Sequence, residues 1–213
     1  MENFFSIDKN TEVEITVKKS KFIANLIKVD NQEMANEKLK EIKKKYHDAR
    51  HNCFAYRVYE DDNLIERFSD DGEPSGTAGS PMLNILQKND IANVLVVVTR
   101  YFGGILLGTG GLIRAYSDAT LNAISDINFV EYVLGLELQV DLEYDQFESF
   151  KYYCKKNGIN IEKIDYTEKI VCLINMEENK KDKLMTDYST KNINLNEIKI
   201  LSKKFIEKSI IKW

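Results

Sequence analysis

Residues 94–116 read VLVVVTRYFGGILLGTGGLIRAY, and this stretch decides the fold of the first part of the chain. Its first five residues are all apolar, and with Thr99 they form a run typical of a strand buried on both faces. Five glycines follow, and from Leu112 onwards the apolar residues return at helical spacing. The stretch therefore predicts a central buried strand, a glycine-rich turn and a long amphipathic helix.

The residues before this stretch predict further strands and helices, so the fold class is α+β. Alternating polar and apolar residues over 11–17 and the apolar-rich segment 21–29 predict two strands. Asp30 is the expected N-cap of a helix over 31–46, whose apolar residues step by three and four. The other predicted elements of this part are a hairpin of strands 53–59 and 64–69 around the turn 60–63, and a short helix over 81–87.

The pattern changes near residue 130 to a compact alternation of strands and helices. Gly158 is a natural C′ residue at the end of one of these helices. The order is β-α-β-β-α-β, the ferredoxin-like or split βαβ arrangement. Its predicted elements are strand 132–140, helix 144–157, strands 159–166 and 169–176, helix 179–190 and strand 194–206. The sequence therefore predicts two domains, residues 1–130 and residues 131–213.

The composition is that of an ordinary globular protein and argues against several classes. Of the 213 residues, 43% are hydrophobic and 30% are charged. No apolar run approaches the roughly 20 residues that cross a bilayer, and the acidic start does not resemble a secretory signal. We therefore expect a cytoplasmic protein without a membrane partner. Three cysteines lie far apart, which predicts neither a disulfide framework nor a zinc site.

The charge balance argues against binding to a DNA duplex. The chain has 30 basic and 34 acidic residues and a formal net charge of -4. A duplex-binding protein usually carries a surplus of positive charge that neutralises phosphates. Any contact with nucleic acid must therefore come from a local patch, which leaves RNA on a ribosomal surface as a possible partner.

Backbone freedom is concentrated in one region, because eight of the ten glycines and both prolines lie between residues 72 and 111. A glycine-rich turn at a helix N-terminus points backbone N–H groups outward and favours an anion. Arg100 and Arg114 flank the turn and could contact phosphate. The pattern matches neither nucleotide-binding glycine motif, so no cofactor is predicted. Tight packing would explain the glycines equally well.

Two smaller clusters have both a functional and a structural interpretation. Asp70, Asp71 and Glu73 could hold Mg²⁺ or Ca²⁺, but a solvated turn is the more common arrangement, so no metal is predicted. His51 and Cys53 would share one face of a strand, as in an activated thiolate–imidazolium pair. Most such cysteines are simply buried, and we predict instead that His51 belongs to a binding rim.

The first predicted helix carries a run of lysines that could contact ribosomal RNA or an acidic protein. The run is interleaved with Glu37 and Glu41, so a solvated helix face is the expected interpretation. Its lysines are Lys38, Lys40, Lys43, Lys44 and Lys45.

Three segments together resemble the IMPACT / YigZ family, and the chain is identified as a bacterial two-domain member. They are HNCFAY at 51–56, DDGEPSGTAG-P at 70–81 and VVVTRYFGG-LLGTGGL-RAY at 96–116. The resemblance implies that the N-terminal domain is similar to the second domain of a small-subunit ribosomal protein. It also implies that the C-terminal domain is similar to the last domain of elongation factor G.

The resemblance further implies a connection with translation. Eukaryotic relatives regulate translation by competing for the activator of a stress-responsive initiation-factor kinase. They pair the N-terminal domain with a different partner-binding domain, so that interaction is not transferred to this chain. No catalytic residues are transferred either, because fold similarity alone does not establish an activity.

We therefore predict a translation-associated binding or regulatory protein rather than an enzyme, with a ribosome or translation factor as partner and RNA as a possible contact. The alternative is a hydrolase or transferase acting on a phosphorylated or peptide-like small molecule through Asp70, Glu73, His51 or Cys53. A purely structural role would bury the glycine loops and place the arginines in internal ion pairs. The predicted binding residues are Arg50, His51, Asp70, Asp71, Glu73, Arg100, Gly103, Gly104, Gly108, Gly110, Gly111 and Arg114.

Overall fold

The computed structural model describes residues 3–60, 63–125 and 127–212, with the backbone alone for residues 209–212. The described chain forms two compact units, over residues 4–131 and 132–208. Within the described ranges, no helix is both long enough and apolar enough to cross a membrane. The predicted α+β class is confirmed, because the chain combines helices with two separate sheets.

The first unit is a five-stranded sheet with helices on both faces. The strand order is β2-β3-β6-β4-β5, and every neighbouring pair in this sheet is antiparallel. The unit also contains β1, which lies outside this sheet. The elements of the unit are β1 (Phe4–Ile7), β2 (Thr11–Val17), β3 (Ser20–Lys28), α1 (Gln32–Lys45), β4 (His51–Glu60), β5 (Asn63–Ser69), α2 (Gly79–Lys88), β6 (Val94–Tyr101) and α3 (Gly108–Ser125). Strand β7 (Asn128–Leu142) begins in this unit and continues into the second.

Strand β6 is the central strand, and both of its faces are buried as predicted. Val94, Val96 and Val98 pack into the core that includes residues of α2 and α3. Leu95 and Val97 point the other way into the core that includes residues of α1. Successive side chains of a strand alternate between its faces, so an unbroken apolar run fits only a strand with a helix layer on each side.

Some predicted element boundaries are wrong, and one strand was missed. The N-cap of α1 is Asn31 rather than Asp30, because the Asn31 side chain accepts a hydrogen bond from the Met34 N–H at 2.8 Å. Strand β1 has only four residues and no polar–apolar alternation, so it gives no periodic pattern. Within the turn predicted over 60–63, residues 61 and 62 lie outside the described part of the chain.

The second unit has the order β-α-β-β-α-β. Its sheet runs β8-β9-β7, and β10 pairs with β7, which is a split βαβ arrangement. Helix α4 ends at Gly158, whose φ of 60° places it in the left-handed region expected of a C-terminal cap. The remaining elements are α4 (Phe147–Asn157), β8 (Asn160–Tyr166), β9 (Ile170–Glu177), α5 (Lys181–Ser189) and β10 (Glu197–Lys212).

Candidate functional site

A buried hydrogen-bond cluster joins the two glycine-rich segments of the chain, residues 70–81 and residues 96–116. Arg100, near the end of β6, donates from Nη1 to Glu73 Oε1 at 2.7 Å. The Tyr116 hydroxyl of α3 donates to the same carboxylate oxygen at 2.9 Å. Glu73 lies in the loop of residues 70–78, so this loop, the end of β6 and helix α3 are connected through one carboxylate.

Arg100 is one of the predicted binding residues, as a side chain that could contact phosphate, but it is only 8% exposed. The guanidinium lies 5.6 Å from the ring centroids of both Phe22 and Phe102. The strand register explains this position, because Phe22 is the direct cross-strand neighbour of Arg100, on the face of the sheet that packs against α2 and α3. Arg100 therefore holds the loops in place, as expected of an internal ion pair, whereas Arg50 and Arg114 are exposed.

Asp70 and Asp71 are not free carboxylates in a solvated turn. Asp70 accepts hydrogen bonds from the backbone N–H groups of Gly76, Ala78 and Gly79 at 2.8–2.9 Å. Asp71 accepts from the Asn52 N–H at 2.8 Å and pairs with Lys43 at 2.8 Å. These donors occupy the carboxylates that were considered for a cation. The described residues contain no cluster of three or more metal-ligating side chains.

The thiol of Cys53 lies in the core beneath the 70–78 loop. Its Sγ donates to the Asp70 carbonyl oxygen at 2.9 Å and lies 3.3 Å from the Tyr116 hydroxyl. Burial raises the pKa of the Cys53 thiol to about 12, so the group is protonated at neutral pH. His51 Nδ1 lies 3.0 Å from the Asp71 carbonyl oxygen. The arrangement is that of a buried structural cysteine rather than an activated nucleophile.

The glycines of the second segment have different structural reasons. A Cβ on Gly103 would lie 2.0 Å from the backbone of Lys19, so close packing requires glycine there. Gly104 and Gly108 have φ values of 83° and 70°, a conformation that side chains disfavour. Gly110 has no positive φ, and a Cβ there would meet nothing within 4 Å. Nothing within the described fold therefore requires glycine at position 110.

The loop of residues 102–107 exposes apolar side chains that are not among the predicted binding residues. Leu106 is 84% exposed, Phe102 is 53% exposed and Ile105 is 41% exposed. The run of Ile105, Leu106 and Leu107 between glycines could have indicated this loop. Such a run does not by itself predict exposure, because an apolar run in sequence is more often buried.

We call the following set the glycine-rich face: the 70–78 loop, the 102–107 loop, the first turn of α3, and the exposed residues Arg50 and Arg114. Of the predicted binding residues, Glu73 and Arg100 are buried beneath it, while Gly104, Gly108 and Gly110 are exposed. Gly103 and His51 are partly buried. The face combines backbone N–H groups at a helix start with positive charge, so it can contact an anionic or acidic partner.

Comparison with known proteins gives matches along nearly the whole chain. Residues 18–124 match the Impact N-terminal domain, and residues 140–187 match a domain of unknown function called DUF1949. The IMPACT family member YvyE of Bacillus subtilis (strain 168) is 35% identical over 99% of this chain and 96% of its own.

Two solved structures are also similar to this chain. A crystal structure described as a hypothetical protein is 32% identical, covers 92% of this chain and 97% of its own, and has a TM-score of 0.61. The two-domain translational regulator Yih1 is 29% identical over 55% of this chain and 47% of its own, with a TM-score of 0.37. The matches to both domains and the near-complete match to YvyE lead to one conclusion: this chain belongs to the IMPACT family.

Proposed function

We propose that this protein is a translation-associated binding or regulatory protein of the cytoplasm, which contacts a ribosome or a translation factor through the glycine-rich face. The proposal of a role in translation is supported by membership of the IMPACT family. The resemblance to this family implies that its eukaryotic members regulate translation. We assign this contact to an IMPACT-type domain of residues 1–130. We assign residues 131–213 to a ferredoxin-like domain similar to the last domain of elongation factor G.

The observation that carries the proposal is Gly110. Glycine is less favourable than alanine in a helix, and the space around its Cα is open in this fold. Because neither backbone conformation nor packing within the described fold requires glycine at this position, we infer that another molecule approaches the helix closely there. The neighbouring N–H groups of the α3 start and the exposed Arg114 favour a partner with negative charge.

The buried residues of the cluster contribute to this function by positioning the loops. Glu73 and Arg100 fix the separation of the 70–78 loop from the end of β6, and Asp70 orders the 70–78 loop itself. Contact with a partner is then assigned to the exposed members, Arg50, Arg114 and the glycine backbone. The basic residues of this face also suit contact with the phosphates of RNA.

Among the residues that the structure describes, no observation favours the enzymatic alternative. A cysteine nucleophile acts as the thiolate, and the raised pKa of Cys53 keeps that thiol protonated. Glu73 is engaged by a buried arginine and a buried tyrosine, and Asp70 by three backbone N–H groups. These side chains stabilise the fold around them, so binding is the activity that we propose.

The proposal predicts that Gly110→Gln weakens binding to ribosomes by roughly tenfold or more, because the added side chain blocks close approach. Binding is measured by sedimentation with ribosomes washed at low salt, which retain bound translation factors. Gln is a better helix former than glycine, so the fold is expected to be at least as stable.

The matched control is Leu121→Gln, which places the same side chain at an exposed position of the same helix, about three turns further on. This variant should sediment like the wild type. If Gly110→Gln also sediments like the wild type, then the start of α3 is not the contact surface. If the wild type itself does not sediment with ribosomes, the proposed function is wrong.

A further inference from the structure

The 102–107 loop presents aliphatic side chains to solvent, and no packing contact in the described part of the first unit explains their exposure. Leu106 is 84% exposed and its neighbour Ile105 is 41% exposed. Single exposed apolar residues are common on protein surfaces, but adjacent ones on a projecting loop indicate an interaction site.

The base of this loop is fixed, so the exposed side chains do not sit on a loose segment. The Gly103 N–H donates to Ser20 Oγ at 3.2 Å, and Gly103 packs against the backbone of Lys19. Phe102 lies beside the guanidinium of Arg100, which is itself held by Glu73. A loop ordered in advance loses little conformational entropy when it binds, which favours tight insertion.

Three exposed positive charges lie beside the loop, and the nearby carboxylate of Asp48 is engaged by the Tyr101 hydroxyl at 2.7 Å. No acidic residue occurs in the sequence between Asp90 and Asp118. Lys18 and Lys19 are exposed in the turn that Gly103 contacts, and Arg114 is exposed in the second turn of α3. Electrostatic complementarity therefore requires a partner whose surface is acidic around the point of insertion.

We propose that Ile105 and Leu106 insert into an apolar pocket with an acidic border on a protein component of the translation machinery. The inference rests on the proposed function and specifies the partner as protein. RNA could attract the lysines, but its bases are bound mainly by stacking on aromatic rings. The tip of the loop, Ile105 and Leu106, is aliphatic, and its one aromatic ring, Phe102, already lies against the Arg100 guanidinium. A bilayer gains little from two aliphatic side chains, because lipid binding grows with the apolar area inserted.

The contact can be tested by site-specific cross-linking from position 106. The variant Leu106→Cys is labelled with benzophenone maleimide, mixed with low-salt-washed ribosomes and irradiated. Labelling is selective because Cys53, Cys154 and Cys172 are buried and their pKa values are raised to about 12, 12 and 11. Lys88→Cys with the same label is the control. Lys88 is exposed and is the last residue of α2, which ends near the start of β6, whereas the loop follows the end of β6.

The expected product is a cross-link from position 106 that survives nuclease and is removed by protease, with none from position 88. A cross-link to ribosomal RNA would overturn the inference. So would the absence of any cross-link while the labelled protein still sediments with ribosomes, and in that case the proposed function stands. Failure of the unlabelled wild type to sediment would remove the proposed function and this inference together.

A second measurement tests the energetic role of the loop. Ile105→Ser/Leu106→Ser should weaken sedimentation with ribosomes by roughly tenfold or more, because each side chain loses its apolar burial in the partner. Both positions are exposed, so the thermal unfolding of the variant should match that of the wild type. Leu121→Ser changes another exposed leucine and should bind normally. Binding of the double variant at wild-type strength would overturn the inference.

Vesicles of phosphatidylglycerol provide the separate membrane test. The wild type should not float with them at physiological salt. Flotation that depends on Leu106 would show that the loop inserts into lipid. The partner of the loop would then be a lipid surface rather than a protein pocket.

Discussion

The ion pair between Arg100 and Glu73 positions the loops of the glycine-rich face, and its energetic role can be measured directly. Their side chains are 8% and 3% exposed, so neither charge is well solvated. Removing one partner of a buried pair leaves the other charge uncompensated. The pair is therefore expected to stabilise the folded state mainly because each side chain neutralises the buried charge of the other.

Glu73→Gln keeps the shape of the side chain and removes its charge, so Arg100 remains buried without a counter-ion. We expect the free energy of unfolding to fall by about 3–5 kcal/mol, as measured by urea denaturation. Glu41→Gln is the matched control, since it removes an exposed pair with Lys38 and should change stability by less than about 1 kcal/mol. Equal effects of the two substitutions would contradict the assigned role of the buried pair.

The sequence identified Arg100 as a member of the site but not its burial. Its position beside a glycine-rich turn suggested phosphate binding, because local sequence shows only what is near in the chain. The register that pairs Arg100 with Phe22 and His51 is set by three strands that are distant in sequence. Glu73 and Tyr116 reach Arg100 only after those strands assemble, so no local pattern could have revealed the cluster.

Helix α2 depends on a capping group from outside the helix. Its own N-cap residue, Ala78, has no side chain that can accept a hydrogen bond. The carboxylate of Asp70, eight residues earlier in the chain, accepts the N–H groups of Ala78 and Gly79 at 2.9 Å. The acidic loop thus acts as the cap that the start of α2 lacks.

Asp70→Ala should therefore destabilise the first turn of α2 and lower the free energy of unfolding by about 2 kcal/mol, because the helix loses its cap. Hydrogen exchange should accelerate at the amides of Ala78 and Gly79 before it changes elsewhere in the first unit. Asp118→Ala removes an exposed carboxylate from α3 and should leave both quantities nearly unchanged. Unaltered exchange at the start of α2 in Asp70→Ala would show that this carboxylate is not the cap.

Elements with a clear apolar period were predicted well, whereas their ends were not. The unbroken apolar run of β6 and the spacing of α3 depend on burial, which the sequence pattern reports directly. The ends depend on single hydrogen bonds, such as the one that makes Asn31 rather than Asp30 the cap of α1. Both residues are good caps, and only the tertiary structure selects between them.

At the scale of the whole molecule, charge and apolar exposure are distributed unevenly. The chain has a net charge of -4, yet residues 91–117 contain no acidic residue. The proposed contact is thus a positive and apolar area on an acidic protein, which suits an acidic partner without attracting nucleic acid generally. This arrangement follows from the fold, because the carboxylates of Asp70 and Glu73, in the 70–78 loop of the face, are engaged internally and that of Asp71 pairs with Lys43.

Both units contain buried thiols, so the stability of the whole molecule should fall at alkaline pH. Burial raises the pKa of Cys53 in the first unit and of Cys154 in the second to about 12, from an ordinary value of 9.0. Between pH 9 and 12 the unfolded chain releases thiol protons that the folded chain retains. Unfolding is then favoured by rising pH, so this stabilisation is complete below pH 9 and disappears as pH approaches 12.

The contribution of one thiol can be isolated with Cys53→Ala, which removes a single titrating group from the first core. Its packing defect lowers stability at every pH, so the quantity to compare is the slope of unfolding free energy against pH, measured in urea. Between pH 9 and 11 the slope should become less steep by up to about 1.4 kcal/mol per pH unit, the value for one proton. An unchanged slope would mean that the Cys53 thiol ionises equally in both states, and hence that water reaches it beneath the 70–78 loop.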